Sequence, residues 1–314
     1  MDLHMGREMN HPTAAIDIGS NTVLLLVGTV TDKRVTVLHE EQCAPRLGQG
    51  VDAEQNLHPK SIKRVIEILK TYQSVLDEEF PEVQNAVVTA TSAVRDAANK
   101  RDFTDRVLQE TGLNVRILSG ADEADFTYAG AHSVISEREG VTAVIDIGGG
   151  STEVAIGKNH IMHDRHSFDV GSVRYTERFL KTDPPSVQEI KWCRKAIRDA
   201  LRERSFNWKR DTSLIGVAGT VTSLASIAYK IDTYQPEKLN NKVLTLEQIS
   251  AQVKNFMGKK SGQLLENNSE ILKGRADVIL AGMLILEEFM KLYHITELTV
   301  STGGIRHGGL MRVH

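Results

Sequence analysis

The stretch Ala143-Val-Ile-Asp-Ile-Gly-Gly-Gly-Ser-Thr-Glu-Val-Ala-Ile-Gly157 decides how the rest of the chain is read. Its apolar beginning, Ala143 to Ile147, reads as a buried strand carrying Asp146 near its end. Three glycines follow, and the chain leaves as a second, alternating strand. A hairpin alone needs one glycine or an Asn-Gly pair; three in a row point to a backbone that approaches a ligand closely. Successive N–H groups from Gly148, Gly149, Gly150 and Ser151 would form an anion nest. Asp146 before the turn and Glu153 after it would repel a bare polyphosphate, which calls for a divalent cation between carboxylate and phosphate.

A second copy lies near the N-terminus, Ala15-Ile-Asp-Ile-Gly-Ser-Asn-Thr-Val-Leu-Leu-Leu-Val-Gly28. At a constant offset of 129, Asp17, Gly19 and Gly28 coincide with Asp146, Gly148 and Gly157. Two equivalent strand–turn–strand units predict two similar domains whose turns face each other across a cleft. A phosphate chain between them would be held from both sides, by Gly19, Ser20 and Asn21 as well as by the later turn.

A chain of 314 residues suits two domains of ordinary size. With 40% hydrophobic and 25% charged residues, the composition is that of a soluble globular protein. A net charge of −3 supplies no global field for nucleic acid or a membrane, so an anionic substrate needs local arginines and a cation. No apolar run is long enough to cross a bilayer, and Met1 to His11 reads as a loose polar tail without a signal core. The expected location is the cytoplasm. Cys43 and Cys193 form neither a disulfide framework nor a metal-ligand pattern.

Working outward, Val23–Val30 and Val35–Glu41 read as a hairpin turning at Asp32-Lys33. Arg46, on a glycine-flanked loop, is placed to grip a phosphate or to make a surface ion pair. A helix from Pro59 to about Glu79 carries Ile62, Val65, Ile66, Leu69, Tyr72 and Leu76 on one face. After the strand Ala86–Ala90, Thr91 and Ser92 are candidate caps, and Arg95 beside them is a candidate for phosphate or a structural ion pair. Glu123 opens the helix after Ser119-Gly120. It would either stabilise that helix end or orient and deprotonate a water at the cleft floor.

Further on, His160, His163 and His166 are expected in a loop rather than around zinc, and Trp192 and Trp208 in packing. A basic-acidic helix over about 187–203 presents a solvated face. Leu214 to Ser226 is a third strand–glycine–helix entry, with Gly219 near the ligand and Thr220 and Thr222 as caps. Gly258 to Asn268 reads as a polar loop. Arg275 and Asp277 are placed on a long helix reaching Tyr293, and Arg306 either faces the cleft or pairs with Asp277.

The chain resembles the exopolyphosphatase and guanosine pentaphosphate phosphohydrolase family, in the short two-domain form. The likeness rests on Asp17-Ile-Gly-Ser-Asn21, Ala90-Thr-Ser-Ala-Val-Arg95, Ser119-Gly with Glu123-Ala124, Asp146 to Glu153, Gly171-Ser-Val-Arg174, Arg275-Ala-Asp277 and Arg306 with Gly308. It implies an α/β fold of duplicated actin-like (ribonuclease H-like) domains, with mixed sheets flanked by helices and a cleft between them. The expected division is 12–121, joined by 306–314, and 122–305. It further implies Glu123 as catalytic base, and Mg²⁺ held by Asp146 and Glu153 with help from Asp17. Both turns, with Arg46, Arg95, Gly219, Thr220, Arg275 and Arg306, would hold phosphates. Inorganic polyphosphate is the leading substrate and guanosine pentaphosphate the alternative; an actin-like ATPase or kinase and a silent alarmone-binding regulator stand behind them. A homodimer is left open. The chain departs from the family at His307, where many members are acidic, and at Leu24, where some are basic or polar.

Overall fold

The computed structural model describes residues 9–312 except 85, 159 and 210. The first lobe begins with β1 (Met9–Ile18), β2 (Val23–Thr31) and β3 (Arg34–Cys43). Short α1 (Val51–Glu54) and long α2 (Pro59–Glu79) lead to β4 (Ala86–Ala90), α3 (Ser92–Asp96), α4 (Lys100–Thr111) and β5 (Val115–Ile117). Crossing helix α5 (Gly120–Ser133) enters the second lobe, which starts with β6 (Val141–Ile147), β7 (Thr152–Lys158) and β8 (Ile161–Phe168). Then come α6 (Ser172–Phe179), α7 (Val187–Leu201), β9 (Ser213–Val217), α8 (Ala218–Tyr229) and α9 (Pro236–Leu239). The chain continues through β10 (Val243–Thr245), α10 (Leu246–Phe256), α11 (Ser261–Asn267) and α12 (Ser269–Leu272). It closes with α13 (Ile279–Leu292), β11 (Glu297–Val300) and α14 (Ile305–Leu310).

The duplication expected from the offset of 129 is present strand by strand. One sheet has the order β3-β2-β1-β4-β5, and the other β8-β7-β6-β9-β11 with β10 added at the edge. In each, an antiparallel hairpin is followed by a parallel partner. Ile18 faces Val23 in the first hairpin and Ile147 faces Thr152 in the second, the same register 129 residues on. This is the α/β architecture of two mixed sheets flanked by helices.

Each sheet has its own core. In the first lobe the apolar face of α2, including Ile62, Val65, Ile66, Leu69 and Tyr72, packs with Ile16 and Leu25. The 3.6-residue spacing of those side chains forces that face inward. In the second lobe α13 is apolar nearly all round and sits deep in the largest core. The opposite faces of the two sheets are covered by α5, through Ala124, Tyr128 and Ala131, and by α14, through Leu310 on Ala15 and Leu26.

Where α5 meets the α14 segment, backbone touches backbone. A methyl on Gly130 would lie 2.1 Å from the Gly304 carbonyl, and one on Gly308 would lie 2.0 Å from that of Phe126. Gly308→Ala is therefore expected to cost about 3 kcal/mol, read as a lowered urea midpoint at unchanged slope.

Several local expectations change. Of the loose tail, residues 1–8 lie outside the described residues, whereas Met9–His11 belong to β1. His163 and His166 lie on strand β8, not in a loop; alternation of exposed polar residues on an edge strand looks like a loop in sequence. Part of the polar loop after Gly258 is helix α11. Arg275 and Asp277 sit in the turns before α13, which starts only at Ile279. Trp208 packs with Phe289 and Tyr293, but Trp192 is 57% exposed on α7. The same helix is less solvated than its charges suggest, because Arg194 and Arg198 reach the buried Glu288.

Candidate active site

The two turns are built alike. Gly19 N–H donates to Thr22 O at 2.9 Å, and Gly148 N–H to Ser151 O at 3.0 Å. The second turn is oriented by α6. The Gly148 carbonyl accepts from the Ser172 N–H, and the Gly149 carbonyl from the N–H groups of Val173 and Arg174. The Gly150 carbonyl accepts from the Arg174 side chain. In a trans peptide the following N–H points the opposite way, so the N–H groups of Gly149, Gly150 and Ser151 are turned away from α6. Among the described residues none of them has a partner. The nest is thus three N–H groups rather than four, since Gly148 spends its own on closing the turn.

Both turns border one cleft of about 730 Å³, shared by Asp17, Glu123, Asp146 and Glu153. Residues 17 and 146 come from homologous positions on β1 and β6, and Asp146 faces Glu153 across the hairpin. Glu123 reaches the same floor from the first turn of α5, whose N-terminus is held by a Ser119–Asp122 capping box. The turns nearly touch, for a methyl on Gly149 would lie 2.8 Å from Ser20 Cβ. Ser20 is tied in turn to Ser92, hydroxyl to hydroxyl at 3.0 Å.

Four carboxylates in one crevice are costly. Their exposures are 8% for Asp17, 2% for Glu123, 7% for Asp146 and 3% for Glu153. Arg95 donates to Glu123 and to the Leu118 carbonyl. Thr127 donates to Asp146 at 3.1 Å, Ser167 to Glu153 at 2.6 Å and Thr89 to Asp17 at 3.4 Å. Burial, reinforced by the charge of Asp146, pushes Asp17 up to about 7 and Glu153 up to about 7. Burial lifts Asp146 to about 6. Glu123 is raised by burial and by Glu153, against the pull of Arg95.

The donor set is all oxygen and carries excess negative charge, which suits a hard divalent cation. Among the described residues, however, no three acidic, His or Cys side chains converge into a metal cage. The expected trio of Asp17, Asp146 and Glu153 is not a preformed site. A Mg²⁺ ion would fit here as it commonly binds, on one or two carboxylates, with phosphate and water supplying the remaining oxygens.

A pH dependence follows. Carboxylates whose folded pKa is raised subtract stability above that pKa, and the loss is recovered as pH falls through it toward the unfolded value. A tenfold difference in proton affinity between the folded and unfolded chain is worth about 1.4 kcal/mol. Metal-free protein is therefore expected to melt higher at about pH 5.5 than at about pH 8, and added Mg²⁺ to stabilise it more at about pH 8. Differential scanning fluorimetry with EDTA or Mg²⁺ reads both; a Mg²⁺ effect independent of pH would contradict the assignment.

The other sequence candidates divide. Arg275 borders the cleft with its guanidinium against Gly219, where a methyl would lie 1.6 Å from Nη1. Among the described residues it has no ion-pair partner, and burial pushes its pKa below the usual guanidinium range. Arg306 lies in the cleft wall but does not meet Asp277. It donates to Glu40 at 2.6 Å and to the Leu25 carbonyl at 3.2 Å. Asp277 instead holds Arg46 bidentately, at 2.9 Å for both bonds, so Arg46 takes its ion-pair alternative. Asn21 donates to the Gly274 carbonyl at 3.1 Å, a second bridge between the lobes. Thr91, Thr220 and Thr222 cap nothing among the described residues: Thr220 packs on Gly282 and Thr222 donates back to Ala218 O.

Thr127 and Ser167 were not singled out by sequence, yet they orient Asp146 and Glu153. Thr127 had a signal, since it follows Glu123 by four residues and so shares its helical face. Ser167 had none, because only the β7–β8 register sets it opposite Glu153. Leu24 faces Asp17 as Glu153 faces Asp146.

Duplicated actin-like lobes closing glycine turns and carboxylates around a cleft define a phosphate-handling protein of the actin-like fold. The family model described as Ppx/GppA phosphatase matches residues 26–313, and the chain belongs to that family. It is 31% identical over 310 residues to exopolyphosphatase 2 of Mycobacterium tuberculosis, covering 94% of this chain and 96% of that protein. It is 30% identical to the guanosine-5'-triphosphate,3'-diphosphate pyrophosphatase of Pseudoalteromonas translucida, covering 95% of this chain but 58% of that one. The crystal structure of the Aquifex aeolicus Ppx/GppA family member superposes with a TM-score of 0.80 at 32% identity, covering 96% of both chains. That of an exopolyphosphatase from Cytophaga hutchinsonii gives 0.86 at 28% identity, covering 95% of this chain and 96% of that one.

Proposed function

We propose that this protein is an exopolyphosphatase, hydrolysing the terminal phosphoanhydride of inorganic polyphosphate and releasing orthophosphate. The observation that carries the reading is Glu123, a buried carboxylate with raised proton affinity, lining the same cleft as the turn whose N–H groups have no partner among the described residues. Those N–H groups and the facing turn hold the end phosphate, and Arg275 meets the chain further along. Arg95 fixes the Glu123 carboxylate, which orients a water and accepts its proton as oxygen attacks phosphorus in line. The released orthophosphate takes that oxygen, and the shortened chain leaves with the anhydride oxygen. Asp146 and Glu153 would hold Mg²⁺, whose charge would help neutralise the phosphate oxygens.

The alternative is removal of the 5′ terminal phosphate from guanosine pentaphosphate, favoured by the likeness to the Pseudoalteromonas enzyme. Both substrates end in the same anhydride. Phosphate release at fixed Mg²⁺, compared across polyphosphate lengths and guanosine pentaphosphate, separates them. The expected result is a higher kcat/KM for polyphosphate; a higher value for the nucleotide would replace the reading. Function in the cytoplasm belongs to the same proposal. Among the described residues no helix is long and apolar enough to cross a membrane.

A further inference from the structure

Behind the two turns the ion pairs continue beyond the groups that the phosphate chemistry uses. Arg174, in the first turn of α6, donates through Nε to the Gly150 carbonyl at 2.7 Å. Its other two nitrogens cross to the first lobe, Nη1 to Asp52 at 3.1 Å and Nη2 to Asp96 at 2.5 Å. One turn later, Arg178 also grips Asp52. Asp96 lies 3.6 Å from Arg95, whose Nη1 holds Glu123. Acid and base therefore alternate unbroken from the catalytic floor outward: Glu123, Arg95, Asp96, Arg174, Asp52, Arg178. Arg174 and Asp52 are well shielded, with side-chain exposures of 13% and 16%, whereas Asp96 is 30% exposed.

We propose, resting on the phosphohydrolase reading, that Arg174 is a positioning residue that sets the phosphate nest and the lobe closure together. Two features single it out from an ordinary interface arginine. Its bond to the Gly150 carbonyl fixes that peptide, and hence aims the Ser151 N–H away from α6. The same planar guanidinium is clamped by carboxylates of the opposite lobe, so the aim of the Ser151 N–H and the closure of the lobes share one side chain. A lysine cannot reproduce three bonds from one rigid fork. Arg174 does not line the cleft. It acts through Gly150 and through the fraction of molecules in the closed, binding-competent state, and losing that fraction weakens apparent affinity in proportion.

The test measures steady-state phosphate release and lobe separation together. Arg174→Met is expected to raise KM for polyphosphate about tenfold, with kcat at saturation within about threefold of wild type. Arg174→Lys should fall between the two. By small-angle X-ray scattering, Arg174→Met without ligand should have a larger radius of gyration than wild type. Combined with Glu123→Gln, it should return to the wild-type value when Mg²⁺ and polyphosphate are added. A KM within twofold of wild type, a loss confined to kcat, or an unchanged radius of gyration would overturn the proposal. Should Arg174→Met fail to fold, the pair Asp52→Asn with Asp96→Asn removes the clamp from the other lobe and must give the same KM and scattering changes. If wild type released no phosphate from either substrate, the functional reading would fail, while the ligand-free scattering comparison would still decide whether Arg174 closes the lobes.

Discussion

Replacing Glu123 by glutamine is expected to lower kcat by about 10³-fold while leaving KM nearly unchanged. The side chain is buried beside Asp17, Asp146 and Glu153, and among the described residues its strong partner is Arg95. Glutamine keeps the shape, and its amide oxygen still accepts from the arginine. What it loses, on the proposed mechanism, is the capacity to take a proton from the attacking water. Removing one negative charge from this crowded crevice should also raise the melting temperature of the metal-free protein. Lower turnover together with higher stability is a signature that simple misfolding cannot produce. Undiminished phosphate release by the glutamine variant would end the assignment of the base.

Arg275→Met should act on binding instead. A lost charge-assisted hydrogen bond is worth about 1.5–3 kcal/mol, or roughly a 10- to 100-fold rise in KM. Arg275 is set apart by what it lacks. Arg46, Arg95, Arg174 and Arg306 each have a carboxylate partner within the protein, whereas Arg275 has none among the described residues and lies against Gly219 at the start of α8. A partly buried cation without a counter-charge is costly, so methionine should leave the ligand-free protein about as stable or more so. Gly219→Ala should mimic the defect, because its methyl would occupy the guanidinium's place. Unchanged KM in both variants would mean that the substrate never reaches this side of the cleft.

Much of the architecture could be read before any coordinates. The helical face of α2 is buried residue for residue as its spacing requires, from Ile62 to Leu76. The repeated Ile-Asp-Ile-Gly located both turns, because a strand ending in a carboxylate before glycine leaves few backbone alternatives. Pairings between distant segments were not legible. Whether Asp277 would hold Arg46 or Arg306 depends on where two loops 231 residues apart meet, and local sequence carries no such information. The threonines at 91, 220 and 222 are good cap residues by type, but none makes a cap bond among the described residues: Thr220 packs on Gly282, and Thr222 donates to the Ala218 carbonyl of its own helix. The carboxylate floor was recognisable by residue type. Its helpers, Thr127 and Ser167, needed the helix face and the strand register.

The apolar side chain at position 24 gives the duplicated frame a polarity. Were acids present at both equivalent places, a string of identical phosphates would meet the same surroundings from either end. With leucine in one half and Glu153 in the other, the β6–β7 hairpin brings two facing carboxylates to the cleft where the β1–β2 hairpin brings Asp17 alone. On the proposed reading, one lobe would serve as anvil and the other carry the blade, so a uniform polymer would acquire, once inside, a front and a back.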